Sequence, residues 1–129
     1  MTWEQHDGIA ASIYVNLYDC SLSTWAGAMT IESGSGAARY PQGVSNGTGY
    51  CVSWAQDDGT AKSAYANTFD GSTWGTEQTL ESSNNEVNDY WEKLIQVVAT
   101  QGTYTIGWLQ KDSDDPLIDN AWAYSGLSD

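Results

Sequence analysis

Tyr50, Val52, Trp54 and Gln56 alternate with Cys51, Ser53 and Ala55. A period of two puts the first set on one face of an extended strand and the second on the other. Large residues on one face and small ones on the other suit a strand packed between two neighbouring sheets. Tyr104, Ile106 and Trp108 repeat the pattern against Thr105, Gly107 and Leu109. Ser63, Tyr65, Asn67 and Phe69 share a face in the next run. Turn residues bound these runs: Asn46-Gly47-Thr48-Gly49, Asp57-Asp58-Gly59 and Asp70-Gly71-Ser72. Asn-Gly is a hairpin signal, with positive φ expected at both residues. One unit thus reads as four strands, here a to d, over 41–45, 50–56, 60–69 and 73–81.

The unit repeats. Trp3, Trp54 and Trp108 open similar phrases at intervals of about fifty residues, the scale of one supersecondary unit. Ser12, Tyr14, Asn16, Tyr18 and Asp19 match Ser63, Tyr65, Asn67, Phe69 and Asp70. Gln42, Val44 and Tyr50 match Gln96, Val98 and Tyr104. The expected order is b-c-d, a-b-c-d, a-b-c: a partial blade over 1–33, a full blade over 39–83 and a partial blade over 94–129. The region 85–99 also carries a helical stripe. The repeat register assigns 94–99 to the third a strand and leaves about 84–93 as a connection with room for a helical turn. The fold class is therefore all-β: a single domain of propeller-like antiparallel blades, about two and a half to three, with a two-sheet sandwich as the alternative.

The residues of the middle unit resemble a widespread bacterial propeller repeat. The matching elements are Tyr40-Pro41-Gln42, Trp54-Ala55-Gln56, Asp58-Gly59, Tyr65-Ala66-Asn67 and Ser72-Thr73-Trp74-Gly75. Repeats of this kind are similar to sialidase-like and lectin propellers. The resemblance implies a carbohydrate-binding role, with sugar pockets between blades. Asp70-Gly71-Ser72-Thr73-Trp74 also resembles the sialidase Asp-box, a structural turn in that family. Sialidase chemistry there uses three arginines, and this chain has one, Arg39.

Composition narrows the function further. Acidic residues number 17 against 4 Lys+Arg, a formal net charge of −13. That field repels phosphate backbones, so nucleic acid and anionic membrane surfaces are poor partners, and with no apolar run long enough to span a bilayer no membrane insertion is expected. Seven Trp and 8 Tyr against 1 Phe favour aromatics with one polar end, as on sheet faces and in sugar sites. The expected partner is a glycan or a protein surface, at a cell surface or outside the cell. His6 is the single histidine and is placed in an exposed turn, so histidine-based catalysis has no support. The chain reads as a non-catalytic module. A structural or protein-interaction propeller is the second reading and a glycoside hydrolase fragment the third.

Trp25 and Trp74 follow turns and are the aromatic ligand candidates. Trp3, Trp54 and Trp108 are better explained as core. Gln5, Gln56 and Gln110, with Asp7, Asp58 and Asp112, recur at each b–c turn. They form a candidate polar rim for sugar hydroxyls, although a turn Asp most often bonds its own backbone. No cofactor is expected. Calcium at 112–115 is the minor alternative, without the ligand spacing of an EF-hand. Cys20 and Cys51 are expected as two thiols. The end units lack an a strand and a d strand, which leads to an expectation of a homo-oligomer of about six blades or of a longer chain.

Overall fold

The computed structural model describes residues 1–82, 87, 95–115 and 119–128. It is all-β, and no helix occurs among the described residues. The described residues form twelve strands: β1 (Thr2–His6), β2 (Ala11–Val15), β3 (Tyr18–Asp19), β4 (Thr24–Trp25), β5 (Met29–Thr30), β6 (Ala38–Ser45), β7 (Tyr50–Asp57), β8 (Lys62–Phe69), β9 (Gln78–Thr79), β10 (Gln96–Thr100), β11 (Thr103–Lys111) and β12 (Asp119–Leu127). They pair antiparallel in the orders β1-β2-β5, β6-β7-β8-β9 and β10-β11-β12. β3 and β4 form a separate two-stranded hairpin between β2 and β5 in the chain.

The alternation in β7 explains how the sheets stack. Val52 and Trp54 enter one core with Ile13, Val15 and Ile31 of the first sheet and its connection and with Ala38 of β6. Cys51 and Ala55 enter the other core with Tyr104, Ile106 and Trp108 of the third sheet. Every residue from Cys51 to Gln56 is buried. A strand buried on both faces should be apolar or internally satisfied on both, and β7 meets this except at Ser53, whose Oγ is buried without a hydrogen-bond partner. The sheets meet through β6, which packs on β1 and β2, and through β10, which packs on β6 and β7. The Glu4 carboxylate pins the first junction. It accepts from Arg39 Nη1 at 3.2 Å and from the Tyr40 amide at 3.3 Å. The β6–β7 register breaks between Arg39 and Gln42, and Tyr40 there has φ 58°.

Several expectations change in detail. The d strand, expected over 73–81, is the pair Gln78–Thr79 plus an isolated bridge from Phe69 to Trp74. The Asp70 turn reverses the chain, and Trp74 then packs against the first core instead of continuing a ladder. The a strand starts at Ala38 rather than 41. The third a strand is Gln96–Thr100, and the helical turn expected near 84–93 lies outside the described residues apart from Val87, which is buried and bridges Gln110. In the Asn-Gly turn only Gly47 has positive φ, at 100°. The Asn46 Oδ1 instead accepts from the amides of Thr48 and Gly49. His6 ends β1 rather than lying in a turn. Cys20 is an exposed free thiol, and Cys51 is a buried cysteine not in a disulfide.

Candidate junction clefts

In an extended strand, residues i and i+2 share a face, so the indole of a Trp-x-Gln phrase lies beside the glutamine amide. All three phrases use this. Trp3, Trp54 and Trp108 donate Nε1–H to the Oε1 of Gln5, Gln56 and Gln110 at 3.0, 2.8 and 3.4 Å. Trp54 and Trp108 are buried, as are Gln56 and Gln110. The glutamine oxygens therefore satisfy buried indoles. The amide ends reach the neighbouring connection: Gln56 Nε2 donates to Gly36 O, and Gln110 Nε2 to Glu81 Oε2, both at 3.4 Å. Gln5 makes the same indole bond but is exposed.

The turn aspartates behave as alike. Asp7 Oδ1 accepts from the amides of Ile9 and Ala10, and Oδ2 from Ser12 Oγ. Asp58 Oδ1 accepts from the Thr60 and Ala61 amides and the Thr60 hydroxyl, and Oδ2 from Ser63 Oγ. Asp112 Oδ1 accepts from the Asp114 and Asp115 amides, and Oδ2 from Asn120 Nδ2. Asp19 and Asp70 capture their own turns too. Donation to an ionised carboxylate favours the charged form. The Ala10 and Ile9 amides hold Asp7 below its ordinary value, and the Ser21 hydroxyl does so for Asp19. The Thr60 hydroxyl acts most strongly on Asp58, the Thr73 amide on Asp70, and the Asp114 amide followed by the Asn120 side chain on Asp112.

A folded-state pKa below the unfolded one adds stability above the unfolded pKa and loses it as pH falls through the folded value. Stability is expected to fall steeply once pH drops below the ordinary aspartate value of 3.8. The urea midpoint should show it, and Asp58→Asn should lose less between about pH 5 and about pH 3 than the parent does. Equal slopes would remove Asp58 from the acid transition.

Two clefts open at successive sheet junctions. The first, of about 450 Å³, lies between the 34–36 connection and the β7–β8 turn. Gln56 and Tyr65 line it with Asp57, Asp58 and Glu77. The second, of about 260 Å³, lies between the 80–82 connection and the third sheet, and Trp108, Gln110, Trp122 and Glu81 line it. The two aromatics are equivalent: Tyr65 lies opposite Trp54 across the β7–β8 pair, and Trp122 opposite Trp108 across β11–β12. Glu77 is tied to the 31–37 connection, accepting from the Ser33 amide at 2.9 Å and the Ser33 hydroxyl at 2.6 Å. Burial pushes the nearby Glu32 carboxyl up, the Ser12 hydroxyl partly offsets this, and the charges of Glu77 and Asp7 add to it. Clefts so rich in acceptors repel anions and receive hydroxyl or cationic donors.

Of the sequence candidates, Gln56 and Asp58 meet in the first cleft and Gln110 lines the second. Gln5, Asp7, Trp25 and Asp112 line neither. Trp25 is half-exposed and packs on Tyr18 with ring centroids 5.1 Å apart. Trp74 is half-buried and lines a groove of about 380 Å³ with Asn67 and Glu77. Its Nε1 is buried without a hydrogen-bond partner, as is the Asn67 Oδ1. Sequence reasoning missed Tyr65, Trp122, Glu77 and Glu81. Cross-strand register was the signal for the two aromatics, since each faces the tryptophan of the preceding strand.

Among the described residues no group of three or more His, Cys, Asp or Glu could hold a metal ion. The Asp112 carboxylate, the centre of the possible calcium loop, is committed to its own turn and to Asn120. No helix among the described residues is long and apolar enough to cross a membrane. Comparison with family models, curated proteins and solved structures returns no match to this chain.

Proposed function

We propose that the chain is a non-catalytic, lectin-like carbohydrate-binding module, propeller-like in its stacking and working at a cell surface or outside the cell. The supporting observation is the cleft built twice on one plan. Each cleft is lined by the glutamine of a Trp-x-Gln phrase, an aromatic from the following strand and a carboxylate; Trp108 also lines the second, whereas Trp54 is buried and only orients Gln56 in the first. An aromatic face stacks on the apolar side of a pyranose, and carboxylates accept from its hydroxyls. The acceptor-rich lining selects neutral sugars over sialylated or sulfated ones. The polar rim proposed from sequence becomes a floor: Gln56 and Gln110 orient the site and are themselves oriented by buried indoles.

The test is a glycan array of neutral and anionic oligosaccharides, followed by titration of the best binder. Trp122→Ala and Tyr65→Ala should each weaken binding about tenfold or more, since aromatic anchors dominate such contacts. Neutral glycans should outrank anionic ones. No signal above background on the array, or binding indifferent to both substitutions, overturns the reading. A protein partner is the second reading, favoured by the exposed Leu22, Trp25 and Met29 on and beside the β3–β4 hairpin.

A further inference from the structure

The first two sheets finish their outer edge in the same way. β5 pairs with β2, with Thr30 opposite Tyr14 and the Ile31 amide donating to Ile13 O at 3.2 Å. β9 pairs with β8, with Thr79 opposite Tyr65 and the Leu80 amide donating to Ala64 O at 2.8 Å. The edge segments read Thr30-Ile31-Glu32 and Thr79-Leu80-Glu81. Ile31 and Leu80 are both buried. The third sheet supplies the matching acceptor strand. Trp122 lies opposite Trp108 as Tyr65 lies opposite Trp54, so Ala121 corresponds to Ala64 and Ala123 to Ala66. Among the described residues nothing pairs with β12 on that side.

Among the described residues the edge of β12 is unprotected. Natural edges are blunted by charge, proline or a bulge. Asn120 to Ser125 contains no charged residue and no proline, and the register irregularity of the β11–β12 pair lies beyond Ser125. Trp122 and Tyr124 are 52% and 38% exposed beside it. In a chain of net charge −13, this neutral edge accepts a strand without like-charge repulsion across the ladder.

We propose that the outer edge of β12 is a docking site for an extended peptide segment of the form Thr-(Ile/Leu)-Glu. The segment adds as a fourth strand, with its Thr opposite Trp122 and the amide of its apolar residue donating to Ala121 O. Backbone hydrogen bonds supply the affinity, and the apolar side chain lies over Ala121 and Ala123, as Leu80 lies with Ala64 and Ala66 in one core. This edge adjoins the second cleft, which Trp122 and Ala123 also line, but the backbone pairing argued here does not depend on the glycan proposal.

The probe is a fluorescein-labelled peptide with the sequence of residues 75–82, Gly-Thr-Glu-Gln-Thr-Leu-Glu-Ser, titrated with the full chain and followed by anisotropy at about 0.15 M salt. Saturable binding is expected. Ala123→Pro removes an amide that points away from β11, so it should leave the fold intact and weaken binding at least about tenfold. The same peptide N-methylated at its leucine should bind at least about tenfold more weakly to the unaltered chain, which keeps the test informative if the proline variant misfolds. Absence of saturable binding overturns the proposal. So does binding that N-methylation leaves unchanged. A dimer in sedimentation that Ala123→Pro dissolves, without peptide binding, assigns the edge to a second copy and overturns it as well.

Discussion

Trp54→Ala is expected to cost about 3–5 kcal/mol, enough to unfold much of a domain whose whole stability is of order 5–15 kcal/mol. Trp54 is fully buried and stacks on Tyr65 at 6.1 Å and 14°. It contacts the core shared by the first two sheets, so its loss opens a cavity at a junction and not merely within one sheet. The truncation also orphans Gln56 Oε1, which the indole satisfies at 2.8 Å in a buried setting. An unsatisfied buried acceptor adds about 1–3 kcal/mol. Trp3→Ala is the matched control. Trp3 makes the same bond to Gln5 and stacks on Tyr14 at 5.8 Å, but it is only half-buried. Its loss should cost about 1 kcal/mol. Urea denaturation of the two variants tests the contrast, and equal losses would show that burial at the first junction is not what ranks these tryptophans. Trp54→Phe isolates the hydrogen bond, because it keeps most of the ring volume and removes the donor.

The contrast bears on what the sequence could reveal. Alternation in residues 50–56 was enough to place β7 between two sheets, because a strand with two distinct apolar faces has few other homes. The recurring Trp phrase was enough to place Trp54 and Trp108 in cores, but the same reading put Trp3 there, and Trp3 is only half-buried and joins neither core. The d strands were not legible at their true length. Residues 73–81 carry strand-compatible residues, but the Asp70 turn and the inward packing of Trp74 are tertiary outcomes that local pattern does not encode. The hairpin β3–β4 was hidden for a similar reason, since Ser23 has φ 53° in a turn held by Asp19. At the clefts, residue types were legible and roles were not. Glutamine at i+2 from tryptophan reads as a polar rim until strand geometry puts its oxygen on the indole. Tyr65 and Trp122 come into view only through cross-strand register, which requires knowing where each hairpin turns.

Gly36→Ala is expected to be the most damaging single methyl that can be added near the first cleft. A β-carbon on Gly36 would collide with the Asp57 carbonyl oxygen, a backbone atom at the end of β7. Backbone cannot swing aside as a side-chain tip does, so the 34–36 connection must lift from the sheet. Two bonds hold it there: the Asp57 amide to Ala37 O at 3.2 Å, and Gln56 Nε2 to Gly36 O at 3.4 Å. Losing both while straining the contact should cost about 1–3 kcal/mol, toward the upper end for a backbone clash. Gly107→Ala is the counterpart. Its β-carbon would meet Trp122 O at 3.6 Å, an ordinary contact, within a strand where glycine is entropically unfavourable. It should be neutral or stabilising by up to about 1 kcal/mol. Urea midpoints for both variants give the comparison, and glycan titration adds a second readout. Lifting the connection widens the first cleft and detaches the Gln56 amide, so Gly36→Ala should weaken a first-cleft ligand while the second cleft keeps its affinity. If Gly36→Ala leaves both stability and binding unchanged, the close approach of that connection to β7 is not part of the fold in solution, and the first cleft loses its outer wall.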